Sequence, residues 1–180
     1  PAQRVFGMHN FPDVPAGHFA VRAGPMMASF DCFEIHLNGQ ATHAAMPHSG
    51  NDVLVAAAYL VTQLQTIVSR QIDPADAAVV SVTQIHGGNT WNALPDCAVV
   101  RGTFRSFKDS VREQLEHAIR HVAESIAQGF KLRVDTRFNP ENPGYPVTIN
   151  SAAETASAIR AAVAVAGEQC VDTAPTPSMG

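Results

Sequence analysis

Charge is scarce in this chain. Only 16% of its 180 residues are Asp, Glu, Lys or Arg, against about 25% in an ordinary globular protein. No Lys/Arg cluster occurs and the formal net charge is −4, so the basic footprint of a nucleic-acid binder is missing. Cysteine is also sparse: Cys32, Cys97 and Cys170 lie far apart, with no CxxC pair. An odd, scattered set argues against a disulfide framework or zinc knuckle and fits a reducing cytoplasm. The most apolar stretch, 152–166, is broken by Glu154 and Arg160 and is shorter than the roughly 20 residues a bilayer needs, so no membrane span is expected. No initiator Met and no basic n-region leading into an apolar h-region occur. Pro1 opens into an apolar run and 173–180 is a Pro/Gly/Ser loop, so both ends read as cuts in a longer polypeptide.

What is present is a core-former. Apolar residues make up 46% of the chain, and its length allows one full domain plus a remnant. Segment 4–17 gathers Gly7, Pro12, Pro15 and Gly17 around His9 and Asn10, as at a strand end running into a loop. From 32 to 37, Phe33, Ile35 and Leu37 alternate with Cys32, Glu34 and His36, the pattern of a half-buried strand. After the loop 39–48, an amphipathic helix is predicted over 51–70. Its stripe is Val53, Ala57, Leu60, Val61, Leu64, Ile67 and Val68. Asn51 or Asp52 supplies the N-cap, and Asp73-Pro74 the stop.

Two β-rich runs, 78–85 and 97–104, should pair antiparallel through the turn-forming stretch 86–96. A second helix over 110–128 carries Val111, Leu115, Ile119, Val122 and Ile126, with Ser110 and Glu113 spaced as a capping box and Gly129 as C′ residue. A strand over 131–137, a Pro/Asn/Gly linker over 138–145 and an Ala-rich helix capped by Ser151 and Glu154 complete the chain. The order β-α-β-β-α-β over 32–137 is the split βαβ pattern of a ferredoxin-like sandwich, which places the chain in the α+β class.

Eight histidines invite comparison, since imidazole serves both as metal ligand and as general base. His117 and His121 stand four apart on the polar side of a helix, without the Glu of HExxH, and read as solvated. His18, His36 and His86 read as surface residues. His9, His43 and His48 differ, because each sits in a loop dense with Gly, Pro or Ala, where backbone can approach a ligand.

Four ordered motifs go further: Gly7-Met-His-Asn-Phe-Pro12, Thr42-His-Ala-Ala-Met-Pro-His48, Gly87-Gly-Asn-Thr-Trp-Asn-Ala-Leu-Pro-Asp96 and Gly102-Thr-Phe-Arg-Ser-Phe107. Together they resemble the M20 metallopeptidase family, in its hippurate hydrolase and N-acyl-amino-acid amidohydrolase branch, over essentially the whole chain. The resemblance implies a ferredoxin-like lid or dimerisation domain over 27–138. Flanking it, 1–26 and 139–180 would be fragments of an α/β metal-binding catalytic domain.

The resemblance also implies roles. His9 matches a metal ligand, with zinc, manganese, cobalt or nickel suiting an imidazole and carboxylate set, and two ions per complete site. The other ligands and the Glu base would lie outside the chain, since a catalytic metal needs at least three protein ligands. His43 matches the lid histidine that hydrogen-bonds the carbonyl oxygen as it becomes an oxyanion, often across a dimer. His48 would order the same loop. Asn92 and Arg105 match the residues that hold the substrate carboxylate, Arg by a bidentate fork. The bland alternatives are a carbonyl-capping loop histidine for His9, loop packing for His43, a left-handed turn residue for Asn92 and a surface salt bridge for Arg105.

The expected activity is metal-assisted hydrolysis of N-acyl amino acids of the hippurate kind by a cytoplasmic homodimer. This chain alone would be inactive. A dipeptide-cleaving metallopeptidase and a non-catalytic ferredoxin-like binding or dimerisation module are the alternatives.

Overall fold

A computed structural model describes residues 3–180; the reading of Pro1 lies outside the described residues. In chain order, β1 (Phe19–Ala20) and β2 (Gly24–Met27) precede β3 (Asp31–Asn38), β4 (Thr42–His43), α1 (Val53–Gln71) and β5 (Ala78–Gly87). They are followed by β6 (Ala93–Leu94), β7 (Cys97–Ser106), α2 (Asp109–Gly129), β8 (Arg133–Phe138), β9 (Thr148–Asn150), α3 (Ala152–Ala166) and β10 (Val171–Asp172). The chain divides into two compact units: Ser29–Pro146, and residues 3–28 with Val147–Gly180.

The larger unit is a two-layer sandwich. Its four strands lie in the order β5-β7-β3-β8, every neighbouring pair antiparallel. In the numbering of a βαββαβ repeat this is 2-3-1-4, the split pattern expected from the sequence. The alternation of β3 sends Phe33, Ile35 and Leu37 to one face, where Val80, Ala98, Val100 and Phe104 join them. Leu60, Leu64 and Ile67 of α1 and Leu115, Ile119 and Val122 of α2 close over that face. Each Val, Leu, Ile or Phe side chain so buried contributes about 1.5–3 kcal/mol. Gly102 is part of this packing, because a Cβ there would collide with the Phe33 ring and the Ser81 backbone oxygen.

Tertiary context corrects several expectations. α1, at 19 residues, is by length and composition alone apolar enough to cross a membrane, whereas 152–166 is not. Its inward stripe is nevertheless sealed against the sheet. Asp52 caps it as expected, accepting from Leu54 N–H at 2.9 Å and Val55 N–H at 3.0 Å. α2 starts one residue early, with Lys108 at the N-cap and no side-chain cap, so Ser110 and Glu113 form no capping box.

At the C-terminus of α2 the left-handed residue is Lys131 (φ 57°), not Gly129. Leu132 N–H reaches Ala127 O at 2.8 Å and Lys131 N–H reaches Gln128 O at 3.1 Å, which is a Schellman closure. That closure lets Phe130 meet Tyr59 (ring centroids 5.7 Å) and moves the next strand's start from 131 to Arg133. At α3, Ser151 is the N-cap, but its hydroxyl bonds the Glu154 carboxylate and makes no backbone cap.

The stretch 138–145, expected as a linker, is fastened to the sheet. Asn139 donates to Asp31 Oδ1 at 2.8 Å and accepts from Cys32 N–H at 2.8 Å. Phe30 and Tyr145 exchange both backbone hydrogen bonds at 3.0 Å. At the centre of this anchorage Asp31, 1% exposed, takes a two-pronged ion pair from Arg112, Nε and Nη2 each at 2.6 Å.

In the smaller unit β1 pairs β10 in parallel and β2 pairs β9 antiparallel. Arg4 meets Glu154 at 3.3 Å. The strand end expected near His9 is absent: described residues before Phe19 carry no regular element, because none of them has a strand neighbour to share a ladder with.

Candidate functional site

Two glycine-bracketed loops meet at one end of the four-stranded sheet. β4 and β6 pair there, with Thr42 opposite Leu94 and His43 opposite Ala93, and Ala44 N–H donates to Asn92 O at 2.9 Å. The first loop closes at its base where Asn51 N–H reaches Gln40 O at 3.1 Å. A Cβ on Gly50 would stand 2.5 Å from that oxygen, and one on Gly39 2.8 Å from Asn51 O, so both approaches require glycine. The second loop turns at Gly88 (φ 78°) and is tied back by Gly39 N–H on Asp96 O at 2.8 Å. Main-chain bonds thereby bring two distant motifs together.

That closure fixes the chemistry of His43. Ala45 N–H donates to its Nδ1 at 3.1 Å. A backbone N–H can only donate, so Nδ1 is the acceptor and the neutral ring carries its proton on Nε2. His43 is exposed and offers an N–H donor. Asn92, next to it across the strand pair, accepts from the Thr90 hydroxyl at 3.2 Å, which leaves the NH2 group as its donor. Its backbone is not left-handed; Gly88 takes that role. His48 stands exposed in the short turn Pro47–Ser49. Sequence reasoning missed Thr90, although a Thr two residues before Asn is a local hydrogen-bonding signal.

Arg105 is elsewhere. It lies eight residues beyond Cys97 on β7, about 26 Å further along at the strand rise, so His43 and Asn92 occupy one end of the sheet and Arg105 the other. Its guanidinium lies over the Phe30 ring, 4.8 Å from the centroid. Nearby, burial and then the Asp31 carboxylate hold the Cys32 thiol above its ordinary range, with Arg105 pulling it down.

His9 belongs to the smaller unit. Its Nδ1 bonds Asn10 O at 2.6 Å and its ring tilts against Phe11 at 5.4 Å. A carbonyl can only accept, so Nδ1 carries the proton and the Nε2 lone pair remains, the arrangement of a metal-ligating histidine. It equally satisfies the carbonyl-capping reading. Among the described residues no three His, Cys, Asp or Glu gather as a metal site, so His9 alone makes no metal centre.

On the helix-free face of the sheet Glu34 has a side chain only 9% exposed. It accepts from His36 Nε2 at 2.6 Å and from Arg101 Nε. The His36 hydrogen bond, aided by Arg101 and opposed by burial, holds the Glu34 carboxyl below the usual range. A cavity of about 230 Å³ beside it is lined by residues that include Cys32, Glu34, Thr83, Arg101 and Thr103, and none of the four candidates reaches it.

Comparison with known proteins shows the family of the chain. Residues 29–131 match the peptidase dimerisation domain family. The chain is 38% identical over 172 residues to the N-acetyl-L-cysteine deacetylase of Bacillus subtilis, covering 96% of this chain and 40% of that protein. It thus spans about two fifths of this curated relative. Among solved structures, a dinuclear metal binding peptidase of the M20 family from Bacillus subtilis matches at TM-score 0.70 and 33% identity, covering 96% of this chain and 42% of that one. The aminobenzoyl-glutamate utilization protein of Klebsiella pneumoniae shares the fold at TM-score 0.74 and 24% identity, covering 93% of this chain and 42% of that one. By its sequence, its sheet order and these relatives, the chain belongs to the M20 peptidase family and carries that family's dimerisation domain.

Proposed function

We propose that the protein containing this chain is a metal-dependent amidohydrolase that releases the amino acid from N-acyl amino acids. The observation that carries this reading is the tautomer of His43. With Nδ1 engaged by Ala45, Nε2–H is a fixed donor for a carbonyl oxygen gaining negative charge, worth about 10²- to 10³-fold in rate. Asn92 NH2 and the Arg105 fork bind the substrate carboxylate. His9 Nε2 would be one ligand to a pair of divalent ions, and such ions would supply Lewis-acid polarisation and an activated water. The deacetylase relatives favour a short acyl group over the benzoyl group of hippurate.

A substrate of this class is far shorter than the distance between His43 and Arg105 on one rigid sheet. A site that uses both therefore draws them from two copies. The sheet edges support such pairing unequally. β5 reads Ala-Val-Val-Ser-Val-Thr-Gln-Ile-His-Gly, without a Lys, Arg, Asp or Glu. β8 exposes Arg133, Asp135 and Arg137, and Arg120 covers its Thr136 carbonyl at 3.3 Å. Charged edges resist pairing, so β5 is the edge offered to a second copy.

Mixing tests the reading. In the full-length protein, His43→Ala and Arg105→Ala should each lose most of their activity on an N-acetyl amino acid supplied below the wild-type KM. Their one-to-one mixture, unfolded and refolded together, recovers about a quarter of wild-type activity through mixed dimers. A mixture as inactive as its components defeats the two-copy site. If neither single variant loses activity, the residue roles fall.

A further inference from the structure

The Arg105 guanidinium rests on the Phe30 ring, and the β3–β7 register explains why. Asp31 pairs with Phe104 and Cys32 with Thr103; carried one residue further, Phe30 stands opposite Arg105. Ser29 N–H holds Ser106 O at 2.9 Å, and Ser106 N–H returns to Ser29 Oγ at 3.2 Å. Ser29 and Ser106 are both fully buried, so this last rung cannot slide. The Phe30 ring also stacks with the Tyr145 ring, at 5.3 Å and 23°, and the two residues' backbones exchange two hydrogen bonds. The guanidinium carbon lies 4.8 Å from the centroid of this doubly contacted ring.

We propose that Phe30, braced by Tyr145, is a positioning residue for Arg105. This rests on the reading of Arg105 as a carboxylate-binding group. The ring contact is made at the guanidinium carbon, while the N–H donors that form the fork all lie in the guanidinium plane. A fixed ring beneath sets the plane in which the fork meets a carboxylate and reduces the rotamer freedom lost on binding. Neither aromatic touches substrate; each acts through the arginine.

The test uses the full-length protein, an N-acetyl amino acid and the matching N-acetyl amino acid amide, which lacks the carboxylate. Arg105→Ala should raise KM for the acid and not for the amide. Phe30→Leu, which keeps apolar bulk and loses the ring face, should raise KM for the acid about three- to tenfold, with kcat and the amide's KM unchanged. Phe30→Tyr should restore the wild-type KM, and Phe30→Leu should add nothing to Arg105→Ala. If Phe30→Leu shifts acid and amide equally, or adds its full effect in the double variant, the positioning role is overturned while Arg105 keeps its own. If Arg105→Ala leaves the acid's KM unchanged, the Arg105 reading fails and this inference fails with it.

Discussion

The two ends of the four-stranded sheet are held by different physics. At the His43 end the fastenings are main-chain hydrogen bonds between loops, made possible by Gly39 and Gly50, whose missing Cβ atoms let backbone meet backbone. At the Arg105 end side chains add to the main-chain bonds of Phe30 with Tyr145 and Ser29 with Ser106: the Asp31–Arg112 ion pair, Asn139 on Asp31, and the contacts of Phe30 with Arg105 and Tyr145. The difference follows from what each end presents. A histidine whose tautomer matters needs a backbone N–H at a defined place, whereas a guanidinium whose plane matters needs a surface to lie on.

The contrast can be broken hardest at Arg112. Replacing it with Ala leaves the Asp31 carboxylate buried with only Asn139 for support, and removing one partner of a buried pair costs about 3–5 kcal/mol. Urea denaturation of the chain should show a loss of that size; a loss under about 1 kcal/mol would mean that water reaches Asp31.

Gly50→Ala strikes the other end. Its Cβ would sit 2.5 Å from Gln40 O, an overpacking of about 1–3 kcal/mol. The expected damage is displacement of the His43 loop, read as loss of amide-exchange protection at Ala44 and Met46 while the sheet core keeps its own. Unchanged protection would show that the loop does not depend on that close approach.

The smallest effect lies between the ends, at Glu34. Its carboxyl is held below the usual range in the folded protein, while in the unfolded chain it titrates near an ordinary value of about 4.3. The stabilisation is therefore fully present above that ordinary value and drains away as pH falls through the lower, folded one. Glu34→Gln should flatten the decline in unfolding midpoint between about pH 5 and pH 3 relative to wild type. Parallel declines would show that Glu34 carries no linkage.

Local pattern reached far in this chain. The alternation over 32–37, the stripe of α1 and the Asp52 cap all read correctly because each depends on residues within one or two turns. The β4–β6 pair was not legible, since two-residue strands have no periodicity and their partners are distant in sequence. Nothing local marks Asp31 as the partner of Arg112, which lies 81 residues away in sequence. Likewise Gly129 carried the composition of a helix stop, but packing of Phe130 and Leu132 moved the left-handed position to Lys131.

The amino-acid sequence by itself determined the βαββαβ order, the inward faces and the motifs that carry His9, His43, Asn92 and Arg105, because periodicity and motif are properties of neighbours along the chain. Tertiary structure alone decided which nitrogen of His43 bears the proton, that Asn92 stands beside it, and that Arg105 lies at the far end of the sheet upon Phe30. Those facts depend on strand register and loop closure, which bring together groups that no local interaction connects.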